Sequence, residues 1–233
     1  MDFCVKQVKG RVKVLAGAGS NDTNETLRLA KQAEDSGADA LLIVTPYYNK
    51  ATQLGLIRHY EYIAERVHTP IILYNVPSRT GVSFTAETYR TLSKHPNIVG
   101  VKEASGNLSL VAHTRLACGD GFSIWSGNDD QVVPMMSLGA QGVISVAANL
   151  VPEVMRELSH LCLDGQFRAA ADLQLRYTDL MDALFLEVNP IPIKTALNLT
   201  GWQVGGLRLP LCEMTPEHLE ALKGSLRRAG LLS

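Results

Sequence analysis

Lys102 closes the apolar run Ile98-Val99-Gly100-Val101, and three other such runs end in Tyr47-Tyr48, Tyr74 and Gly127-Asn128-Asp129. A lysine placed where a buried strand meets an open face can serve as an amine nucleophile. Burial disfavours the ammonium form, and only the neutral amine attacks a carbonyl. Hydroxyls of tyrosines at neighbouring strand ends can move the protons that imine chemistry requires. Each residue also has an ordinary explanation when taken singly. Lys102-Glu103 could be a salt-bridged pair at a strand end. The tyrosines could pack their rings at a rim and leave their hydroxyls wet. Arg79 could be solvated in its Pro-, Ser- and Gly-rich loop, and Ser126-Gly127-Asn128-Asp129 could be a turn before a helix cap.

The elements that must position these groups alternate along the chain. Six short β-branched runs, at 12–18, 40–45, 70–76, 98–102, 122–126 and 142–147, are apolar without alternation, as in parallel strands covered on both faces. Helical signals lie between them. Asp22 with Glu25 forms a capping-box pattern, and Gly37 stands where a helix C-terminal left-handed residue belongs. Thr52, Thr85 and Asn107 open further helices. Beyond residue 150 the pattern is wholly helical. Pro152 opens a helix with Val154, Leu158 and Leu161 on one face, a long helix covers about residues 166–186, and Thr215-Pro216 caps the last one.

Six β/α units suit either a complete doubly wound sheet or an eight-stranded barrel without two of its units. Doubly wound sheets gather ligand groups at one switch point, whereas a barrel recruits from nearly every strand end. Polar candidates here follow at least four consecutive strands. The expected fold is therefore α/β, a TIM (β/α)8 barrel without its first two units, with six parallel strands. Its division would be a barrel part at 1–150 carrying the active face and a helical region at 151–233.

Composition narrows the function classes. With 233 residues, 46% hydrophobic, the chain has ample material for a core. Its 22 Lys and Arg nearly balance 23 Asp and Glu, so no global field favours nucleic acid or an anionic membrane. No run has the length of a spanning helix, and the start lacks the zones of a signal peptide. Cys4, Cys118, Cys162 and Cys212 are scattered, which suits reduced thiols in the cytoplasm. The six histidines form no ligand spacing, so no metal is expected.

Three longer motifs carry a resemblance. Thr45-Pro46-Tyr47-Tyr48-Asn49, Tyr74-Asn75-Val76-Pro77-Ser78-Arg79-Thr80-Gly81 and Val101-Lys102-Glu103-Ala104-Ser105 resemble the dihydrodipicolinate synthase branch of the pyruvate-dependent class I aldolases. Ala16 to Asn21, Gly142 to Ser145 and Asn189 to Lys194 match in the same order. The resemblance implies a lyase of lysine and diaminopimelate biosynthesis. Lys102 would form a Schiff base with pyruvate, with no cofactor needed, and the resulting enamine would attack aspartate semialdehyde to give 4-hydroxy-tetrahydrodipicolinate. Tyr74 would pass protons beside the imine, and Tyr48 would reach across a dimer interface into a partner's relay. Arg79 would hold the carboxylate of the semialdehyde, while Gly127 and the backbone around Ile144 would line the pyruvate pocket. Asn21, Glu25 and Tyr47 match a lysine-inhibition site, although Glu25 already has a capping role. The family is typically a homotetramer built from tight dimers.

One departure stands out. Members of the family carry a Gly-Thr-Thr-Gly-Glu turn whose threonines bind the pyruvate carboxylate and link the tyrosines, and no such motif occurs here. The chain begins inside what resembles the second helix. A chain of this kind is expected to expose strand edges and to be poorly active or inactive. Alternatives are a Schiff-base lyase acting on N-acetylneuraminate or 2-keto-3-deoxy sugar acids, which Pro-Ser-Arg-Thr-Gly disfavours, and a non-catalytic remnant. A phosphate-binding barrel fits poorly, because Asp129 would repel the anion.

Overall fold

Every strand of the computed structural model, which describes Met1–Ser233, pairs in parallel with its neighbour in sequence. Strands β1 (Leu15–Gly17), β2 (Ala40–Val44), β3 (Ile71–Asn75), β4 (Ile98–Glu103) and β5 (Ser123–Ser126) lie in the order β1-β2-β3-β4-β5. The order never reverses. A doubly wound sheet requires a reversal at its switch point, so that alternative is excluded for this sheet.

The expected sixth strand does not form. Residues 142–147 hold one isolated bridge position, at Val143, before a 3-10 turn at Ala147–Asn149. Two features explain this. Gly142 has φ 152, and the N–H groups of Val146 and Ala147 donate to Asp129 Oδ2 at 3.1 and 2.8 Å instead of to a ladder. The first expected run is also shorter, with only Leu15–Gly17 pairing.

Compactness divides the chain into Met1–Gly127 with Leu138–Ala140, and Asn128–Ser137 with Gln141–Ser233. The boundary expected from sequence lies at 150, where the strand-like runs stop. In the first unit, helices α1 (Asp2–Val8), α2 (Thr23–Asp35), α3 (Gln53–Ala64), α4 (Pro77–Thr80), α5 (Ala86–Leu92) and α6 (Leu108–Cys118) alternate with the strands. The caps follow the sequence signals. Asp22, Thr52, Thr85 and Asn107 each accept from the N–H three residues on. The capping box at α2 is only half made, because Glu25 turns away to bind Arg28 at 2.7 and 2.8 Å. A run of aromatic rings, Tyr60, Phe84, Tyr89 and Phe122, packs at centroid spacings of 5.5, 4.8 and 6.1 Å and fills this unit's core.

The second unit is helical: α7 (Val132–Ser137), α8 (Pro152–Leu163), α9 (Phe167–Ala183), α10 (Ile191–Leu199) and α11 (Pro216–Arg228). The buried face of α8 is Met155, Leu158 and Cys162, one residue displaced at two positions from the expected stripe. Glu187 joins the end of α9 to the start of α11, accepting from Thr215 N at 2.9 Å and pairing with His218 Nδ1 at 3.0 Å. No helix is long and apolar enough to cross a membrane. The four cysteines are unpaired.

His59 on α3 is 5% exposed; its Nδ1 lies 2.9 Å from Thr23 Oγ1, and its Nε2 has no partner. Burial lowers its pKa from 6.5 to about 4. The folded state therefore keeps His59 neutral while the unfolded chain takes up a proton below pH 6.5. Stability is unaffected by this group above that pH and falls between pH 6.5 and 4, by up to about 3 kcal/mol. Urea unfolding across this range should show a shallower decline for His59→Asn than for the parent. Parallel declines would exclude the effect.

Candidate active site

The register of the sheet brings amine and phenol together. Val44, Tyr74, Lys102 and Trp125 are cross-strand partners on β2, β3, β4 and β5, forming one row near the carboxyl ends of the strands. All four are half-buried. Lys102 Nζ sits 4.4 Å from the centre of the Tyr74 ring. This pairing depends on a bulge. Ile71 pairs with Ile98 but Ile72 pairs with Gly100, so Val99 is an extra residue. In an unshifted register, with Val99 opposite Ile72, Lys102 would align with Asn75. Gly100 is required at the same place, because a Cβ there would strike the Ser123 carbonyl and lie 2.8 Å from the Trp125 ring.

One residue further on, the side chains point to the other face. Asn75, Glu103 and Ser126 are register partners there, and all are buried. Lys102 and Glu103 therefore lie on opposite faces of the sheet. Glu103, 3% exposed, accepts from Asn75 Nδ2 at 3.0 Å, Tyr89 Oη at 2.7 Å and Ser105 N at 2.8 Å. Burial and this carboxylate hold the Tyr89 phenol far above its ordinary pKa, so it stays a donor. The sequence offered no signal for Tyr89, and Asn75 appeared only as part of a motif.

Gly127 belongs to the same site. Its N–H donates to the Glu103 carbonyl at 2.8 Å, and a Cβ here would lie 2.6 Å from Ala104 Cβ and 3.1 Å from Lys102 Cε. The lysine stem runs over the space a side chain would fill. Burial raises the Tyr74 pKa, with nearby Arg79 opposing, so the phenol is protonated at neutral pH. Arg79 lies exposed on α4, a single turn opened by Pro77 and closed by Gly81 at φ 74. Tyr74, Arg79 and Tyr47 share a cavity of about 420 Å³ with Gly17, Leu42 and Val44.

The other candidates lie on separate segments of the chain. Tyr48 is 89% exposed at φ 73, with Asn49 N donating to Tyr47 O at 2.9 Å around it. This is a tight three-residue turn in a conformation that tyrosine rarely adopts. Asn49 Nδ2 anchors the turn on the Asn21 carbonyl at 3.0 Å. Glu25 is engaged with Arg28. Ile144 belongs to the second compact unit, where it is half-buried. No group of three or more His, Cys, Asp or Glu is arranged to hold a metal ion.

Comparison with known proteins gives a consistent result. The dihydrodipicolinate synthetase family model matches residues 1–229. The chain is 53% identical over 231 residues to 4-hydroxy-tetrahydrodipicolinate synthase of Thermoanaerobacter sp. (strain X514), spanning 99% of this chain and 78% of that one. It is 48% identical over 224 residues to the synthase of Clostridium novyi (strain NT), spanning 96% and 76%. The crystal structure of dihydrodipicolinate synthase from Aquifex aeolicus superposes with a TM-score of 0.97 at 44% identity, over 99% of this chain and 79% of that one.

Gly127→Ala should displace the Lys102 stem and cost about 1–3 kcal/mol through overpacking. Thermal melts would measure the loss, and the reaction rate of the Lys102 amine with an aldehyde probe should change with it. A variant with the parent's stability and amine reactivity would refute the close fit.

Proposed function

The chain belongs to the dihydrodipicolinate synthetase family, and on that premise we propose that it is a 4-hydroxy-tetrahydrodipicolinate synthase acting through an imine on Lys102. The observation that carries this reading is the cross-strand pair of Tyr74 and Lys102, with the amine 4.4 Å from the ring centre. The fold reading that goes with it is a (β/α)-barrel architecture whose strand ends carry the chemistry; the unreversed strand order supports it.

The neutral Lys102 amine adds to the ketone of pyruvate, and loss of water leaves an imine. Electron withdrawal by the imine lets a methyl proton depart, giving an enamine. The enamine carbon bonds to the aldehyde carbon of aspartate semialdehyde, and ring closure through the substrate's amine releases the product and regenerates the Lys102 amine. Tyr74 is protonated and adjacent, which suits it to donate and recover the proton at each stage. Arg79 offers a planar fork for the semialdehyde carboxylate, beside the cavity it shares with Tyr74. Gly127 keeps the lysine stem unobstructed.

The exposed, strained turn at Tyr48 supports a role outside its own subunit, reaching a partner's site in a dimer of the homotetramer's type. Asn21, Glu25 and Tyr47 are proposed contributors to lysine regulation, although Glu25 is engaged by Arg28 here. The synthase names of the relatives favour this reading over sugar-acid cleavage. The cytoplasm suits the free thiols.

Sodium borohydride added with pyruvate should fix a three-carbon adduct on the peptide containing Lys102, read by mass spectrometry, and Lys102→Arg should abolish it. Tyr74→Phe should lower turnover with aspartate semialdehyde by about 10²–10⁴-fold. An adduct on another lysine, or preferred cleavage of sugar acids, would overturn the assignment.

A further inference from the structure

Glu103 is buried among neutral donors: an amide, a phenol and a backbone N–H. A carboxylate accepts only, so it forces each partner to present hydrogen. This has a directional consequence for Asn75. With its Nδ2 held by Glu103, its Oδ1 must face the other way, where it accepts from Phe84 N at 3.3 Å. The same Nδ2 also reaches Ser83 Oγ at 3.1 Å. Asn75 thus closes the loop that leaves β3 and returns at Ser83-Phe84. Arg79 stands at the middle of that loop, four residues after Asn75 and four before Ser83. Within the loop, Thr80 Oγ1 bonds the carbonyls of Val76 and Val82 at 3.2 and 3.0 Å. Arg79 therefore rides on a segment whose two ends are pinned by one oriented amide.

We propose that Glu103 is a positioning residue for the second substrate: by fixing the orientation of Asn75, it sets the loop that presents Arg79 to the semialdehyde carboxylate. The inference rests on the synthase reading and adds a division of labour across the sheet. On one face of β4, Lys102 engages pyruvate. On the other, its neighbour Glu103 governs recognition of the aldehyde without touching it. A hydrophobic residue would suit this buried position if packing alone mattered, since taking a carboxylate out of water is costly. The acceptor-only character explains why a carboxylate is there.

The test is Glu103→Gln. The fixed Ser105 N–H keeps the carbonyl of the introduced amide at the Oε1 place, so its NH2 takes the Oε2 place, beside the Tyr89 hydroxyl and the Asn75 NH2. The phenol can rotate to accept, whereas the two NH2 groups oppose each other and loosen the hold on Asn75. KM for aspartate semialdehyde should rise about tenfold or more from the lost positioning. The rate of borohydride-trapped pyruvate adduct at Lys102 should stay within about threefold of the parent, as the amine's own row is unaltered. The double variant Glu103→Gln, Asn75→Asp exchanges carboxylate and amide between the two positions. It should restore most of the KM, since the carboxylate then at position 75 accepts both from the amide introduced at position 103 and from Phe84 N. Tyr89→Phe serves as the control for general loosening. It removes one donor while leaving Asn75 held, so it should lower the melting temperature with KM little changed. An unchanged KM in Glu103→Gln, an equal loss of adduct formation, or an equal KM rise in Tyr89→Phe would each overturn the proposal. If Glu103→Gln does not fold, the double variant and Tyr89→Phe still decide between oriented and general effects. A parent protein that forms no adduct at Lys102 would instead defeat the synthase reading.

Discussion

The pairing of β3 with β4, shifted by the single extra residue Val99, is the constraint on which the rest of the site depends. Parallel strands put register partners on the same face, and alternation sends their neighbours to the other. One bulge therefore decides two rows at once. It aligns Tyr74 with Lys102 on the half-open face and Asn75 with Glu103 on the buried face. A slip by one residue would undo both rows, leaving amine and phenol unmatched and the carboxylate without its amide. Gly100, beside the bulge, is tied to this register because the β5 backbone and the Trp125 ring occupy the space of a side chain.

The two rows obey different electrostatics. On the half-open row, a basic amine meets a phenol that burial keeps protonated, with Arg79 nearby to moderate the shift. On the buried row, a carboxylate is held by neutral donors, and the Tyr89 phenol is locked as a donor. That arrangement ties three donors to one acceptor group. It is suited to holding geometry, and hydrogen bonds to an ionised acceptor are the stronger kind for that purpose.

Backbone conformations carry the remaining groups. A Pro77-opened single turn with Gly81 in the left-handed region lifts Arg79 from the end of β3, and a tight turn at positive φ projects Tyr48 into solvent. Glycine adopts such a φ freely, whereas tyrosine incurs strain. The strain falls on an exposed aromatic residue, where packing within the chain gives no reason for it.

Much of this was written in local chemistry. Apolar runs ending in Lys102, Tyr74 and Tyr47-Tyr48 located strand ends, and Asp22, Thr52, Thr85 and Asn107 located helix starts, because both depend on a few adjacent residues. The sixth strand fails to form although its composition suits one, because the β-branched run at 142–147 gives no hint that Asp129, more than ten residues earlier, takes its N–H groups. Glu25 completes only half of a capping box because Arg28, one turn on, competes for the carboxylate. Sequence alone thus determined the residue types at hand for chemistry and the strand ends that bear them. Tertiary structure decided what no local pattern encodes: the bulged register that joins Lys102 to Tyr74, and the buried clasp of Glu103, Asn75 and Tyr89. Both depend on hydrogen bonds between segments far apart in the chain, where alignment is set by packing and not by neighbours in sequence.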